Sequence, residues 1–170
     1  MEKELLFSEE TIKGRVKALA KSISSDYKGE EPLFIGVLNG VIFFFADLMR
    51  EMTVPVTMDF LRATSYGSRM NSSGVVRITK DVEIPVRGRH LILVEDIVDT
   101  GLTLSYITRK IRAEKPESLR ICALIDKSER RQEKVSIDYR GFLVQGGFIV
   151  GYGLDYENRY RNLRDIYVIK

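Results

Sequence analysis

Residues 91–104, Leu-Ile-Leu-Val-Glu-Asp-Ile-Val-Asp-Thr-Gly-Leu-Thr-Leu, decide how this chain folds. The apolar run 91–94 has the length and composition of a strand buried on both faces. It leads into three acids, Glu95, Asp96 and Asp99, and then into Thr100, Gly101 and Thr103, where a helix-like pattern begins. Hydroxyls and unpaired backbone N–H groups at a helix start hold phosphate. Carboxylates beside an anion make sense when they bind sugar hydroxyls, a metal or a proton. A metal-bound ribose phosphate meets all three demands.

Outward from this stretch, apolar runs and helical periodicities alternate. Ser8 is a plausible cap for a helix over 11–23, with Ile12, Val16, Leu19, Ala20 and Ile23 as its apolar stripe. Strands are predicted over 33–38, 54–63, 75–83, 90–95 and 118–125, with short ones near 142–144, 148–151 and 166–169. Helices are predicted over 41–52 and 102–114. This order implies an α/β fold, a mainly parallel twisted sheet flanked by helices on both faces, whose ligands gather at the C-terminal ends of the strands. Leu38-Asn39-Gly40, residues 95–103 and Asp126-Lys127 all sit at such ends. The polar, glycine-bearing stretch 64–74 reads as a loop, and a loop of that length in a compact domain is usually functional or disordered. We read 64–75 as a mobile lid.

At 170 residues the chain is expected to be one domain, residues 1–170, able to bury a core without staples. Its one cysteine, Cys122, lies in an apolar run and supports neither a disulfide framework nor a thiolate zinc site. A reducing, cytoplasmic setting is the expectation, and no apolar stretch approaches the roughly 20 residues that span a bilayer. A net charge of +3 is too small to argue for general nucleic-acid affinity. The cluster Arg130, Arg131 and Lys134 reads as solvated surface, whereas Arg159, Arg161 and Arg164 fall inside the proposed site region. His90, the only histidine, precedes the central strand and reads as structural.

The motifs, in order and spacing, resemble those of the type I phosphoribosyltransferases, in particular the hypoxanthine (hypoxanthine-guanine) branch. The likeness covers almost the whole chain: Leu38-Asn39-Gly40, Ser65-Tyr66-Gly67, the signature at 95–103, Asp126-Lys127 and the run 148–161. A receiver-domain reading of Val94-Glu95-Asp96 would need that strand near the N-terminus. An aspartic-protease reading of Asp99-Thr100-Gly101 would need a β-loop rather than a helix start.

The resemblance implies a fold with a small hood and a β-hairpin lid, a C-terminal purine-binding segment at about 126–165, and a Mg2+-dependent transfer from phosphoribosyl pyrophosphate to hypoxanthine and guanine. Asp99 would be the catalytic base for the purine's ring proton; read alone it is an N-cap aspartate. Glu95 and Asp96 would bind the ribose diol and magnesium, with Asp155 at a second metal position. Thr100, Gly101, Leu102 and Thr103 would cradle the 5′-phosphate. Leu38, Asn39, Gly40 and Arg161 would hold pyrophosphate, the first peptide of that turn often being cis in relatives, and Ser65 and Tyr66 would close over the reactants. Lys127 would donate to the 6-oxo group, Phe148 would stack on the base, and Ile149 would read its edge through main-chain groups. Taken singly, Lys127 could be a strand-exit lysine, Phe148 a core aromatic, Asp155 a turn aspartate and Arg161 a surface arginine. Asn39 and Leu102 stand where some relatives carry basic residues. The implied partners are the small-molecule substrates and further copies of the chain, as homodimer or homotetramer, with no membrane and no nucleic acid. The alternative on the same fold is a regulator that senses the activated sugar and binds nucleic acid, with Arg130, Arg131 and Lys134 as its surface.

Overall fold

The computed structural model describes residues 2–68 and 71–170, the side chains of 66–74 lying outside that description. In chain order the elements are β1 (Lys3–Phe7), α1 (Glu9–Asp26), β2 (Leu33–Leu38), α2 (Ile42–Glu51), β3 (Thr57–Ser68), β4 (Asn71–Lys80), β5 (His90–Val98), α3 (Leu102–Ala113), β6 (Ser118–Lys127), β7 (Tyr139–Val144), β8 (Phe148–Val150) and β9 (Ile166–Ile169). A six-stranded sheet runs β4-β3-β2-β5-β6-β7, and only β4 pairs antiparallel in it. Apolar residues on both sides of β5 explain its central place. Ile92 and Val94 join Phe34, Cys122 and Leu124 in the layer covered by α1 and α2. Leu91 and Leu93 join Leu33, Ile35 and Ala123 in the layer covered by α3 through Leu104, Ile107 and Ile111. The mainly parallel sheet with helices on both faces is therefore present.

α1 forms where its apolar stripe predicts it. The Ser8 side chain accepts the Thr11 N–H at 3.2 Å, and Glu9 and Glu10 occupy the first turn, where negative charge suits the helix dipole. Among the described residues no helix is long and apolar enough to cross a membrane.

Three features depart from the sequence reading. A separate antiparallel sheet, β1-β9-β8, forms the small hood, and β1 was not expected because most of its side chains are exposed and lack an alternating pattern. Main-chain pairing with β9 holds it, aided by the Glu9 N–H donating to Asp165 Oδ1 at 2.7 Å. β5 and β6 continue to Val98 and Lys127, so several motif residues lie on strands rather than in the loops after them. Stretch 64–74, read as a loop from its polarity, pairs as the β-hairpin that the family resemblance implies: β3 and β4 join through Ser65↔Val76, Tyr66↔Val75 and Ser68↔Asn71, Thr and Tyr favouring a strand. Residues 69 and 70, the Tyr66 side chain and the expectation of lid mobility fall outside the described residues. Leu38, the last residue of β2, pairs with Arg62. The hairpin beyond Arg62 therefore overhangs the edge where β2 stops.

A buried carboxylate fixes the root of this hairpin. Asp59 of β3 accepts N–H bonds from Phe60 (2.7 Å), Glu83 (2.7 Å) and Ile84 (2.8 Å), with Lys80 Nζ at 3.6 Å. Burial alone would raise its pKa, but these N–H groups and Lys80 hold it below the usual aspartate value. A lowered folded-state pKa contributes stability that is full above the unfolded value, about 3.9, and is lost as pH falls through the folded value. Asp59→Asn is expected to destabilise the protein at neutral pH, and the gap to wild type should close as pH falls from about 5 to about 2. Urea melts across that range check this, and a gap of constant size contradicts it.

Candidate active site

Parallel pairing brings the expected residues to one edge of the large sheet. Val98 is level with Asp126, so Asp99 and Lys127 follow side by side at the ends of β5 and β6. Gly36 is level with Val94, which sets the 38–40 turn beside Asp96. The C-terminal segment folds over these ends and closes a cleft of about 240 Å3 lined by Asp96, Asp99, Lys127, Phe148, Ile149 and Asp155, together with Ile97, Arg130 and Leu154.

The turn before α3 is built for an anion. Gly101 caps the helix in the left-handed conformation, φ +80, so Asp99 is not the cap residue. Gly101 offers no side-chain cap, and the Leu102 N–H donates to Thr100 Oγ1 at a long 3.4 Å. The free N–H groups of a helix's first turn suit an anion such as phosphate. A Cβ at Gly101 would stand 2.7 Å from the Glu133 carbonyl and 3.0 Å from Arg131 Cδ, so the segment after β6 packs directly onto the turn. The N–H groups of Gln132 and Glu133 both donate to the Thr100 carbonyl, at 2.8 and 3.1 Å.

On the other side of the cleft, acids meet glycine backbone and one arginine. Glu95 and Asp96 are buried. Burial, then the neighbouring Asp96 charge, pushes the Glu95 carboxyl well above the usual range; burial also raises Asp96, against hydrogen bonds and Arg161 that oppose it. The pair thus resists carrying two full charges without a cation. A Cβ on Gly40 would overlap Asp96 Oδ2, and one on Gly153 would overlap the Gly40 carbonyl. The Leu38–Asn39 peptide is cis. Arg161 Nη1 donates to the Gly153 carbonyl at 2.6 Å, and its Nη2 pairs with Asp155 Oδ1 at 2.9 Å.

These hard oxygen donors suit magnesium, which is bound through one or two carboxylates and completes its shell with substrate and water oxygens. Among the described residues no three acids, cysteines or histidines lie close enough to hold an ion by themselves. Glu95, Asp96 and Asp155 therefore do not form one protein-only cage.

The side of the cleft formed by Lys127, Asp99 and β8 is equally defined. Lys127 is 9% exposed, and its ammonium has no hydrogen-bond or ion-pair partner among the described residues. Phe148 is 47% exposed, which removes the core-aromatic reading, and Tyr156 meets it edge-on at 5.3 Å. Ile149 is buried on β8, an edge strand with one backbone side unpaired in its sheet. Asp99 Oδ1 is buried without a hydrogen-bond partner among the described residues, and Oδ2 is 3.5 Å from Arg130 Nη1. Ser65 is exposed on the overhanging hairpin.

Arg130 and Arg131 were missed as site residues. Arg130 lines the cleft, while the Arg131 side chain, only 18% exposed, is drawn inward by Asp126. Of the basic patch read as solvated surface, Lys134 is exposed as expected, Arg130 is exposed but borders the cleft, and Arg131 turns inward, away from any nucleic-acid-binding face. The available signal was Asp126 itself, since a carboxylate ending a buried apolar strand requires a cation nearby.

Comparison with known proteins agrees with this architecture. A sequence profile of the phosphoribosyl transferase domain matches residues 5–157. A hypoxanthine-guanine phosphoribosyltransferase of Bacillus subtilis is 45% identical over 167 residues, covering 98% of this chain and 93% of the relative. One from Aquifex aeolicus is 44% identical over 168 residues, covering 98% and 94%. The crystal structure of a hypoxanthine-guanine phosphoribosyltransferase from Bacillus anthracis matches with a TM-score of 0.95 at 42% identity, over 100% of both chains.

The close approach of Gly153 to Gly40 has a measurable consequence. Gly153→Ala adds a Cβ where the Gly40 carbonyl sits and strains a backbone at φ +101. Hydrogen–deuterium exchange should quicken at 38–41 and 151–155 and stay unchanged along α3. Unchanged exchange in both loops contradicts the packing described.

Proposed function

The chain belongs to the phosphoribosyl transferase domain family, and from that premise we propose that it is a purine-salvage enzyme. It transfers the 5-phosphoribosyl group from phosphoribosyl pyrophosphate to hypoxanthine and guanine, giving IMP or GMP and pyrophosphate. The observation that carries this reading is the juxtaposition of Asp99 and Lys127 at adjacent strand ends, with the exposed Phe148 ring lining the same cleft.

In this reading the N–H groups and hydroxyls of Thr100, Gly101, Leu102 and Thr103 hold the 5′-phosphate, and Glu95 and Asp96 take the ribose diol. Leu38, Asn39 and Gly40 offer backbone to pyrophosphate, and Arg161 turns from Asp155 to the leaving group. Glu95 or Asp96 would hold magnesium at one position and Asp155 at a second, and the metal would supply charge neutralisation for the departing pyrophosphate. Phe148 stacks on the base, main-chain groups of Ile149 read its edge, and Lys127 donates to the 6-oxo group. Asp99, with one carboxylate oxygen free of hydrogen-bond partners among the described residues, accepts the ring proton as the bond to the sugar forms. The 64–75 hairpin, carrying Ser65 and Tyr66, closes over the reactants and keeps water from the activated sugar. The 126–165 segment supplies the base pocket of one domain spanning 1–170.

Copies of the chain would assemble as dimer or tetramer, a reading supported by the exposed Ile42 and Phe43 on α2. The buried Cys122 thiol accords with a reducing, cytoplasmic setting. The relatives compared above bear the name hypoxanthine-guanine phosphoribosyltransferase, which supports the enzyme reading over the regulator.

The direct test is incubation with magnesium, phosphoribosyl pyrophosphate and each of hypoxanthine, guanine, xanthine, adenine and uracil. Nucleotide should form from hypoxanthine and guanine but not from adenine or uracil; salt-sensitive nucleic-acid binding without nucleotide formation favours the regulator. A buried donor left unpaired by adenine costs roughly 1–3 kcal/mol, so Lys127→Ala should erode the oxopurine-over-aminopurine preference by roughly tenfold or more. An unchanged preference removes Lys127 from base selection. Loss of a general base typically costs about 100-fold or more, so Asp99→Asn should lower kcat by that order and leave KM for the activated sugar little changed.

A further inference from the structure

One side chain in the site region has no part in the reaction as described, yet it joins the two strand ends that perform it. Arg131 Nε donates to the Asp99 carbonyl at 2.9 Å, and its Nη2 reaches the Val98 carbonyl at 3.2 Å and Asp126 Oδ1 at 2.5 Å. Asp126, buried immediately before Lys127, is also 3.3 Å from Arg140 through its other oxygen. A single guanidinium thus binds the end of β5, at the two carbonyls around Asp99, to the end of β6, beside Lys127. Glycine at 101 leaves room for the Arg131 stem, whose Cδ would be 3.0 Å from any Cβ there.

Resting on the proposed role of Asp99, we infer that Arg131 is a positioning residue, which through Asp126 sets the Asp99 carboxylate relative to Lys127. The Asp99 side chain needs such a device because its own ties are weak. One oxygen has no hydrogen-bond partner among the described residues, and the other is 3.5 Å from the exposed Arg130. Its aim is therefore governed by the backbone that carries it, and Arg131 grips that backbone on both sides of the Asp99 Cα. Only a planar, forked cation makes these bonds together. Lysine, a compact charge on a flexible stem, keeps attraction to Asp126 but cannot span the carbonyls and the carboxylate at once. Misplacement of a proton acceptor by about 1 Å costs turnover far more than it costs binding of the activated sugar.

The test is a double-mutant cycle in kcat for IMP formation, using wild type, Asp99→Asn, Arg131→Lys and the double variant, with KM for phosphoribosyl pyrophosphate measured in each. Arg131→Lys is expected to lower kcat by at least about tenfold with KM within about threefold, and to change kcat by less than about twofold when Asp99 is already Asn. A merely structural arginine predicts instead the same fractional loss in both backgrounds, and that result, or an unchanged kcat in Arg131→Lys, overturns the inference. Should Arg131→Lys fail to fold, Asp126→Asn takes its place. It leaves the carbonyl bonds available and should give a smaller kcat loss that likewise disappears without the Asp99 carboxylate. If Asp99→Asn retains wild-type kcat, the role of Asp99 falls and the inference falls with it. That outcome is distinguishable from failure of the brace alone, in which Asp99→Asn is slow and the losses multiply.

Discussion

The parallel register of β2, β5 and β6 is the constraint on which the rest depends. Each strand is apolar on both faces, so layers of helices must cover the sheet and the polar residues of these strands gather toward one end. Once Val94 is level with Gly36, and Val98 with Asp126, the positions of the 38–40 turn, the acidic cluster, the anion-binding turn and Lys127 relative to one another follow. The hairpin overhang and the hood are additions around an edge already defined.

Charge is distributed across that edge in a way that leaves it unfinished. Burial raises the carboxyl pKa of both Glu95 and Asp96, and among the described residues one Asp99 oxygen has no hydrogen-bond partner and Lys127 no counter-charge. Such groups are costly in a finished core, where buried polar atoms normally find partners. Here Asp96, Asp99 and Lys127 line one cleft, where a bound ligand can supply the missing partners. The two arginines differ in the same sense. Arg161 is bound to Asp155, which also lines the cleft, and to a main-chain carbonyl, whereas Arg131 is bound to backbone at the end of one strand and to a carboxylate on the next.

Much of this was legible in the chain. The unbroken apolar run 91–94 announces a central strand, the small residues at 100–103 announce a helix start open to an anion, and the serine-capped stripe of α1 is local and periodic. What escaped was held by tertiary contact. β1 exposes charged residues and exists because β9 pairs with it, and β8 and β9 belong to a second sheet that no local pattern separates from the first. The 64–74 stretch read as loop because polarity outweighed the strand propensity of its Thr and Tyr. Arg131 read as surface because two adjacent arginines resemble a solvated run, and only the burial of Asp126 turns one of them inward.

The central claim is that one cleft holds a sugar's phosphate, its diol, a divalent cation and an oxopurine together. A crystal structure with magnesium, a non-hydrolysable analogue of phosphoribosyl pyrophosphate and hypoxanthine tests it most directly. The account expects the 5′-phosphate on the main chain of 100–103, the diol against Glu95 and Asp96, and the 6-oxo group within hydrogen-bond reach of Lys127 Nζ with the base on Phe148. A sugar phosphate seated elsewhere, or a base away from Lys127 and Asp99, contradicts it.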